Sequence, residues 1–97
     1  MSNEVWKEYL MSYGIKPGTQ HFQIMNYLRK YECATSMDAF EDMKITKLAT
    51  RISEIKRKGL DIASEDIHSV NMYGKPITYS RYRLGKQIKN DIDRLCG

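Results

Sequence analysis

The sequence predicts an α+β fold in which helices occupy roughly the first 60 residues and a β-hairpin and a short helix follow. Three observations carry this. Apolar residues recur at helical spacing in 5–13, 22–31 and 48–55, and ITYSRYRL, residues 77–84, is rich in β-branched and aromatic residues. Between two of the helical stripes, SMDAFEDMKITKLATRISEIKRKG changes charge sign within two residues, Lys44 and Ile45.

In chain order, Asn3 is the candidate cap of a first helix, 3–13, whose Val5, Trp6, Tyr9, Leu10 and Tyr13 share one stripe. Gly14 ends it and Lys16-Pro17-Gly18 is a turn. Thr19 caps the next helix, with Phe22, Met25, Leu28 and Tyr31 at steps of three and Ile24 beside them. Cys33-Ala34-Thr35 is a short link or a minimal strand. Ser36 caps a third helix with Asp38 in its first turn and Ala39, Phe40 and Met43 on its apolar side. Thr46 caps a fourth, with Leu48, Ala49, Ile52 and Ile55 inward and Gly59 at its end. Leu60, Ile62, Ile67 and Val70 suit a strand, and residues 71–76 form a turn. In 77–84, Ser80, Tyr82 and Leu84 share one face, and Tyr79, Arg81 and Arg83 the other. Ile88, Ile92 and Leu95 mark a last helix, 86–95.

The 97 residues suit a single domain, with a core at 19–84 and flanking helices at 3–13 and 86–95. The composition, 41% hydrophobic and 29% charged, is that of a globular protein. No apolar run approaches the roughly 20 residues of a membrane span. Met1–Leu10 contains Glu4, Lys7 and Glu8 and lacks the apolar block of a secretory signal, so a cytoplasmic protein with no membrane partner is expected. Cys33 and Cys96 then stay free thiols.

Formal charge is +4, and it is concentrated. Residues 44–58 hold six bases, Lys44, Lys47, Arg51, Lys56, Arg57 and Lys58, against one acid, Glu54. Residues 75–89 hold Lys75, Arg81, Arg83, Lys86 and Lys89 with no acid. Two basic blocks separated in sequence are expected to meet on one cationic surface for a polyanion.

A tight turn between two helices followed by a hairpin is a helix-turn-helix with a two-stranded wing. The second helix of such a motif enters the DNA major groove. With Leu48, Ile52 and Ile55 inward, Lys47, Thr50, Arg51, Glu54 and Lys58 are expected to face outward. Thr46, Lys47, Thr50 and Arg51, near its N-terminal end, are the candidate base readers, Arg51 gripping a guanine through two hydrogen bonds. Lys44, Lys56, Arg57, Lys75, Arg81 and Arg83 are the candidate phosphate contacts, with Asn71 and Tyr73 as polar partners at the wing tip. The acidic helix before the reader is expected to lie behind it.

Residues 19–84 resemble the small winged-helix, helix-turn-helix proteins common in bacteriophages and prophages. The resemblance rests on Gln23-Ile24-x-x-Tyr27-Leu28, on 36–59 and on ITYSRYRL after a polar wing. Its most specific part is Ile45-Thr46-x-Leu48-Ala49-x-Arg51-Ile52-x-x-Ile55-x-x-x-Gly59. It implies a DNA-binding role in a bacterial host cell, as a small transcriptional regulator. Such proteins often have Gly in the turn where this chain has Lys44. A positive φ there costs lysine about 1 kcal/mol against glycine.

Other chemistry is thin. His21 and His68 have no Cys, Asp or His companion at ligand spacing, so no metal is expected. Glu65 and Asp66 would point to opposite faces of a strand, which is no general acid–base pair. Phosphate-binding loops, nucleophile elbows and H-E-x-x-H are all missing, so neither an enzyme nor a cofactor is expected. The tyrosines read as core or half-buried strand residues, with stacking on single-stranded bases by tyrosines interleaved with basic residues, as in Tyr79-x-Arg81-x-Arg83, a minor reading. A reading of a different class is a phage inhibitor of a host nuclease or CRISPR effector, using the same basic surface on a host protein or its RNA. The C-terminal stripe is the candidate face for a homodimer.

Overall fold

The computed structural model describes residues 2–96, with the side chain of Cys96 outside the described set. The helices and strands follow in the order α1 Asn3–Ser12, α2 Gln20–Tyr31, β1 Cys33–Thr35, α3 Ser36–Met43, α4 Leu48–Arg57, β2 Ile62–Val70, β3 Pro76–Leu84 and α5 Lys86–Cys96. The expected winged helix-turn-helix with extra terminal helices is thus the observed architecture.

Local chemistry explains the helix starts. Ser2, one residue before the expected Asn3, caps α1 by accepting from the Val5 N–H at 3.2 Å. Thr19 caps α2 as expected, accepting from the Phe22 N–H at 3.2 Å. α3 is capped by Thr35 rather than Ser36: Thr35 accepts from the Asp38 N–H, and the Asp38 carboxylate accepts from the Thr35 N–H. This reciprocal pair satisfies two helix-end donors at once. It also lets Thr35 serve as both the last residue of β1 and the helix cap.

Three apolar assignments differ from expectation. Phe40 is 56% exposed on the outer face of α3, whereas Ala39 and Met43 are buried. Tyr31 is exposed because steps of three fall short of a helical turn, so the stripe drifts sideways by about 60° per step. It rests instead on Tyr27, with ring centroids 4.6 Å apart. Ala49 is exposed, since the inward line of α4 is Leu48, Ile52 and Ile55.

The sheet is antiparallel in the order β1-β3-β2. Cys33–Thr35 is therefore a real strand, pairing Ala34 with Tyr82, while Ile62 pairs with Leu84 and Ser64 with Tyr82. Ala34, Ile62, Tyr82 and Leu84 point into a core shared with Trp6, Leu10, Ile24, Met25, Leu28, Ile45, Leu48, Ile52, Ile55 and Ile88. The outer half of the hairpin projects beyond that core: residues 72–79 are all exposed, and the molecule extends 46 Å along its long axis against 25 and 22 Å across.

The terminal helices close over the same core. Ile88 is buried and Ile92 packs on it, so two of the three positions expected to face a second copy are used inside the chain; Leu95 remains exposed. The Tyr9 hydroxyl donates to Asp91 at 2.8 Å and ties α1 to α5. Burial first, then that carboxylate, pushes the Tyr9 hydroxyl pKa well above its ordinary range.

Gly85 sits where β3 meets α5. Its N–H donates to the Asp61 carbonyl at 2.7 Å, and an added Cβ would lie 2.7 Å from that oxygen and 2.1 Å from the Asp61 carboxylate. The carboxylate is also within 3.4 Å of the Gln87 N–H in the first turn of α5. Gly85→Ala must therefore displace backbone, and should destabilise the fold by about 1–3 kcal/mol. Urea denaturation midpoints test this; an unchanged midpoint would contradict the close approach.

Candidate nucleic-acid interface

The reader helix is aimed by two residues. Lys44 ends α3 in the left-handed region, at φ 58° and ψ 32°. Its ammonium lies 3.2 Å from the Glu41 carbonyl, a cation on its own helix's C-terminal oxygens. The next N–H, of Ile45, reaches back to the Ala39 carbonyl at 2.9 Å, and the Ile45 side chain is only 2% exposed. The chain thus reverses within one turn, with an apolar anchor at the corner.

α4 starts at Leu48. Lys47 is its cap, without a side-chain hydrogen bond, and Thr46 is exposed rather than capping. Thr46, Lys47, Ala49, Thr50, Ser53, Lys56, Arg57 and Lys58 are exposed. Setting Leu48, Ile52 and Ile55 inward places Thr50, Ser53 and Arg57 along the opposite line, with Thr46 exposed in the turn just before the helix. This short, polar line with a cation at its end is shaped for contact with an edge of hydrogen-bonding groups. Ser53 and Ala49 were missed in the sequence. A helical wheel centred on the inward trio, with Ala49 left out, would have found them.

Arg51 and Glu54 lie on the shoulder, half-buried against α2. Arg51 Nε donates to Gln20 Oε1 at 2.9 Å and Nη1 to Glu54 Oε1 at 2.8 Å. His21 Nε2 is 3.0 Å from the same Glu54 oxygen. The fork that would grip a guanine is therefore already engaged, and Arg51 meets a base in that way only by exchanging one of these partners. Lys58 is also turned inward, toward the Gly14 carbonyl at 3.4 Å.

The second basic block divides. Arg81 and Arg83 alternate with the buried Tyr82 and Leu84, so they stand on the sheet face turned away from the helices, across the sheet from α4. Both bond Glu65 on β2: Arg81 at 2.6 Å, and Arg83 through Nη2. Arg81, then Arg83, holds the Glu65 carboxyl below its ordinary range. Lys75 stands apart at the wing tip, exposed. The expected merger of both blocks into one cationic surface is thus not formed by Arg81 and Arg83.

Two acids of α3 are occupied as well. Asp38 closes the cap described above, and Asp42 accepts from the Tyr27 hydroxyl at 2.6 Å. That bond, with some burial, raises the Tyr27 pKa.

Residues 19–87 match the family of winged helix-turn-helix domains. The chain belongs to that family. The match covers the helix-turn-helix, the wing and the first residues of α5, and leaves α1 outside. No curated protein and no solved structure gives a significant match to the chain. The winged helix-turn-helix is a DNA-binding architecture, and α4 holds the position of its reader helix. No helix among the described residues is long and apolar enough to cross a membrane.

The Glu54 contacts carry a pH dependence. Arg51 first, then His21, lowers the Glu54 pKa. A carboxylate so lowered stabilises the fold above its unfolded value of about 4.3, and the contribution disappears as pH falls through the folded value. Being at the surface, it is modest. Comparing wild type with Glu54→Gln in urea should therefore show a wild-type advantage that shrinks between about pH 5 and pH 3. An advantage that persists or grows on acidification would contradict the bridge.

Proposed function

We propose that this winged helix-turn-helix protein binds double-stranded DNA sequence-specifically, as a small phage-type transcriptional regulator in the bacterial cytoplasm. The observation that carries the reading is the exposed line Thr50, Ser53 and Arg57 on α4, with Thr46 and Lys47 exposed in the turn before it and Lys56 on its flank. Thr46, Lys47 and Thr50 lie nearest the N-terminal end and face base edges. Arg51 joins them by giving up Gln20 or Glu54. Lys44, Lys56, Arg57 and Lys75 hold phosphates. Arg81 and Arg83, tied to Glu65, brace the base of the wing and set the angle at which Lys75 arrives. The resemblance of residues 19–84 to phage proteins supports the regulator role.

One observation favours a second reading, an inhibitor of a host nuclease or CRISPR effector. Met37 and Phe40, three residues apart on α3, are exposed beside Glu41, an apolar and acidic face unsuited to DNA. A single host protein retained on the chain after nuclease treatment, and lost with Phe40→Ser, would favour it.

For the DNA reading, these four phosphate contacts imply that affinity for a mixed-sequence duplex falls about 100-fold between about 50 and 200 mM salt. Arg57→Ala should lower the slope of log affinity against log salt by about one. Thr50→Ala should leave that slope alone and relax preference at one base pair. Gel mobility shifts measure all three, and the absence of duplex binding at low salt would contradict the proposal.

A further inference from the structure

The wing tip is built to expose what a loop usually hides. Met72 is 88% and Tyr73 81% exposed, and Val70 and Ile77 beside them are exposed too. The loop is nonetheless held in one shape. Asn71 Oδ1 accepts from the Tyr73 N–H at 2.9 Å and from the Lys75 N–H at 3.0 Å. The Asn71 N–H donates to the Lys75 carbonyl at 2.9 Å, and the Gly74 N–H to the Asn71 carbonyl at 3.0 Å. Gly74 takes φ 77°, which this closure requires. Four hydrogen bonds thus fix the loop backbone from which two large side chains project before anything is bound, so binding has only the side chains left to order.

Charge and size narrow what the tip fits. Residues 67–78 contain one charged residue, Lys75, and no acid. Even with Val70 and Ile77 added, Met72 and Tyr73 make a tip too small for a protein interface, which needs about 800 Å² from each partner. They match the scale of a single base-pair step. The minor groove is only about 6 Å wide and presents few, degenerate hydrogen-bonding groups. A methionine has no donor to offer them, and it is removed from water only by entering the stack.

We propose that Met72 and Tyr73 form an apolar wedge that enters a base-pair step from the minor groove and kinks the duplex, while Lys75 holds the adjacent phosphate. This rests on the DNA-binding reading of α4 and adds DNA bending to it. The wedge favours pyrimidine–purine steps, which unstack most easily. Sequence preference then arises at the wing without hydrogen bonds to bases.

The test uses the full chain and a duplex of about 30 bp containing TA and CA/TG steps. The duplex carries a fluorescence donor and acceptor at its ends, and in a second version 2-aminopurine at such steps. Wild type should shorten the end-to-end distance by an amount equivalent to a kink of about 20–90°, and should brighten 2-aminopurine by unstacking it. The Met72→Ser/Tyr73→Ser double variant leaves the Asn71 hydrogen bonds in place. It should retain duplex binding within about tenfold of wild type in mobility shifts, with bend and brightening lost. Lys75→Ala should keep the bend and lower the salt slope by about one. Wild type that binds but leaves the duplex straight would overturn the wedge and spare the DNA-binding reading. So would a double variant that bends as wild type does. Wild type that binds no duplex would remove both. Self-association of wild type in sedimentation that the double variant abolishes would assign the tip to a second copy and overturn the wedge.

Discussion

The left-handed backbone at Lys44, locked by the burial of Ile45, is the constraint on which the other features depend. Left-handed geometry costs lysine about 1 kcal/mol, and burying an isoleucine contributes about 1.5–3 kcal/mol, so the corner is stable without glycine. With the corner fixed, Leu48, Ile52 and Ile55 can fall only on the core side of α4. That orientation determines which side chains of α4 reach solvent. It also explains the abrupt change of charge. The acidic helix before the corner and the basic helix after it lie in different environments although only two residues separate them.

Charged side chains divide into two kinds. Arg51, Arg81 and Arg83 are each fixed by a glutamate on a neighbouring turn or strand. Their planar forks give geometry: Arg51 joins α4 to α2 through Gln20, and the two strand arginines clamp β2 to β3. Lys47, Lys56 and Lys75 are exposed. Their flexible ammoniums can follow a phosphate directly, whereas the three engaged forks must first exchange a partner. A count of basic residues in the sequence therefore overstates the surface that is free to meet a polyanion.

Much of this was legible in the sequence, because the informative patterns are local. Period-2 alternation placed Arg81 and Arg83 opposite Tyr82 and Leu84, and helical spacing located every helix. Four things were not legible. Caps shift by a residue when two hydroxyl residues adjoin, as with Thr35 and Ser36, since the choice depends on where β1 ends. The partners of arginines are non-local: Glu65 lies 16 residues from Arg81, and Gln20 lies 31 from Arg51. Terminal apolar stripes do not reveal whether they cover their own core, as Ile88 does, or another chain. The exposed Met72 and Tyr73 lie in a stretch whose turn residues, Asn71 and Gly74, predict its bend and say nothing of its contacts.

The exposed line of α4 and the wing tip are proposed together as the surface that meets a duplex. Backbone amide resonances recorded while a short duplex is added test it most directly. Shifts are expected to concentrate at residues 46–57 and 71–75, with the α3 face around Met37 and Phe40 unmoved. Shifts confined to that α3 face, or no shifts at low salt, would contradict it.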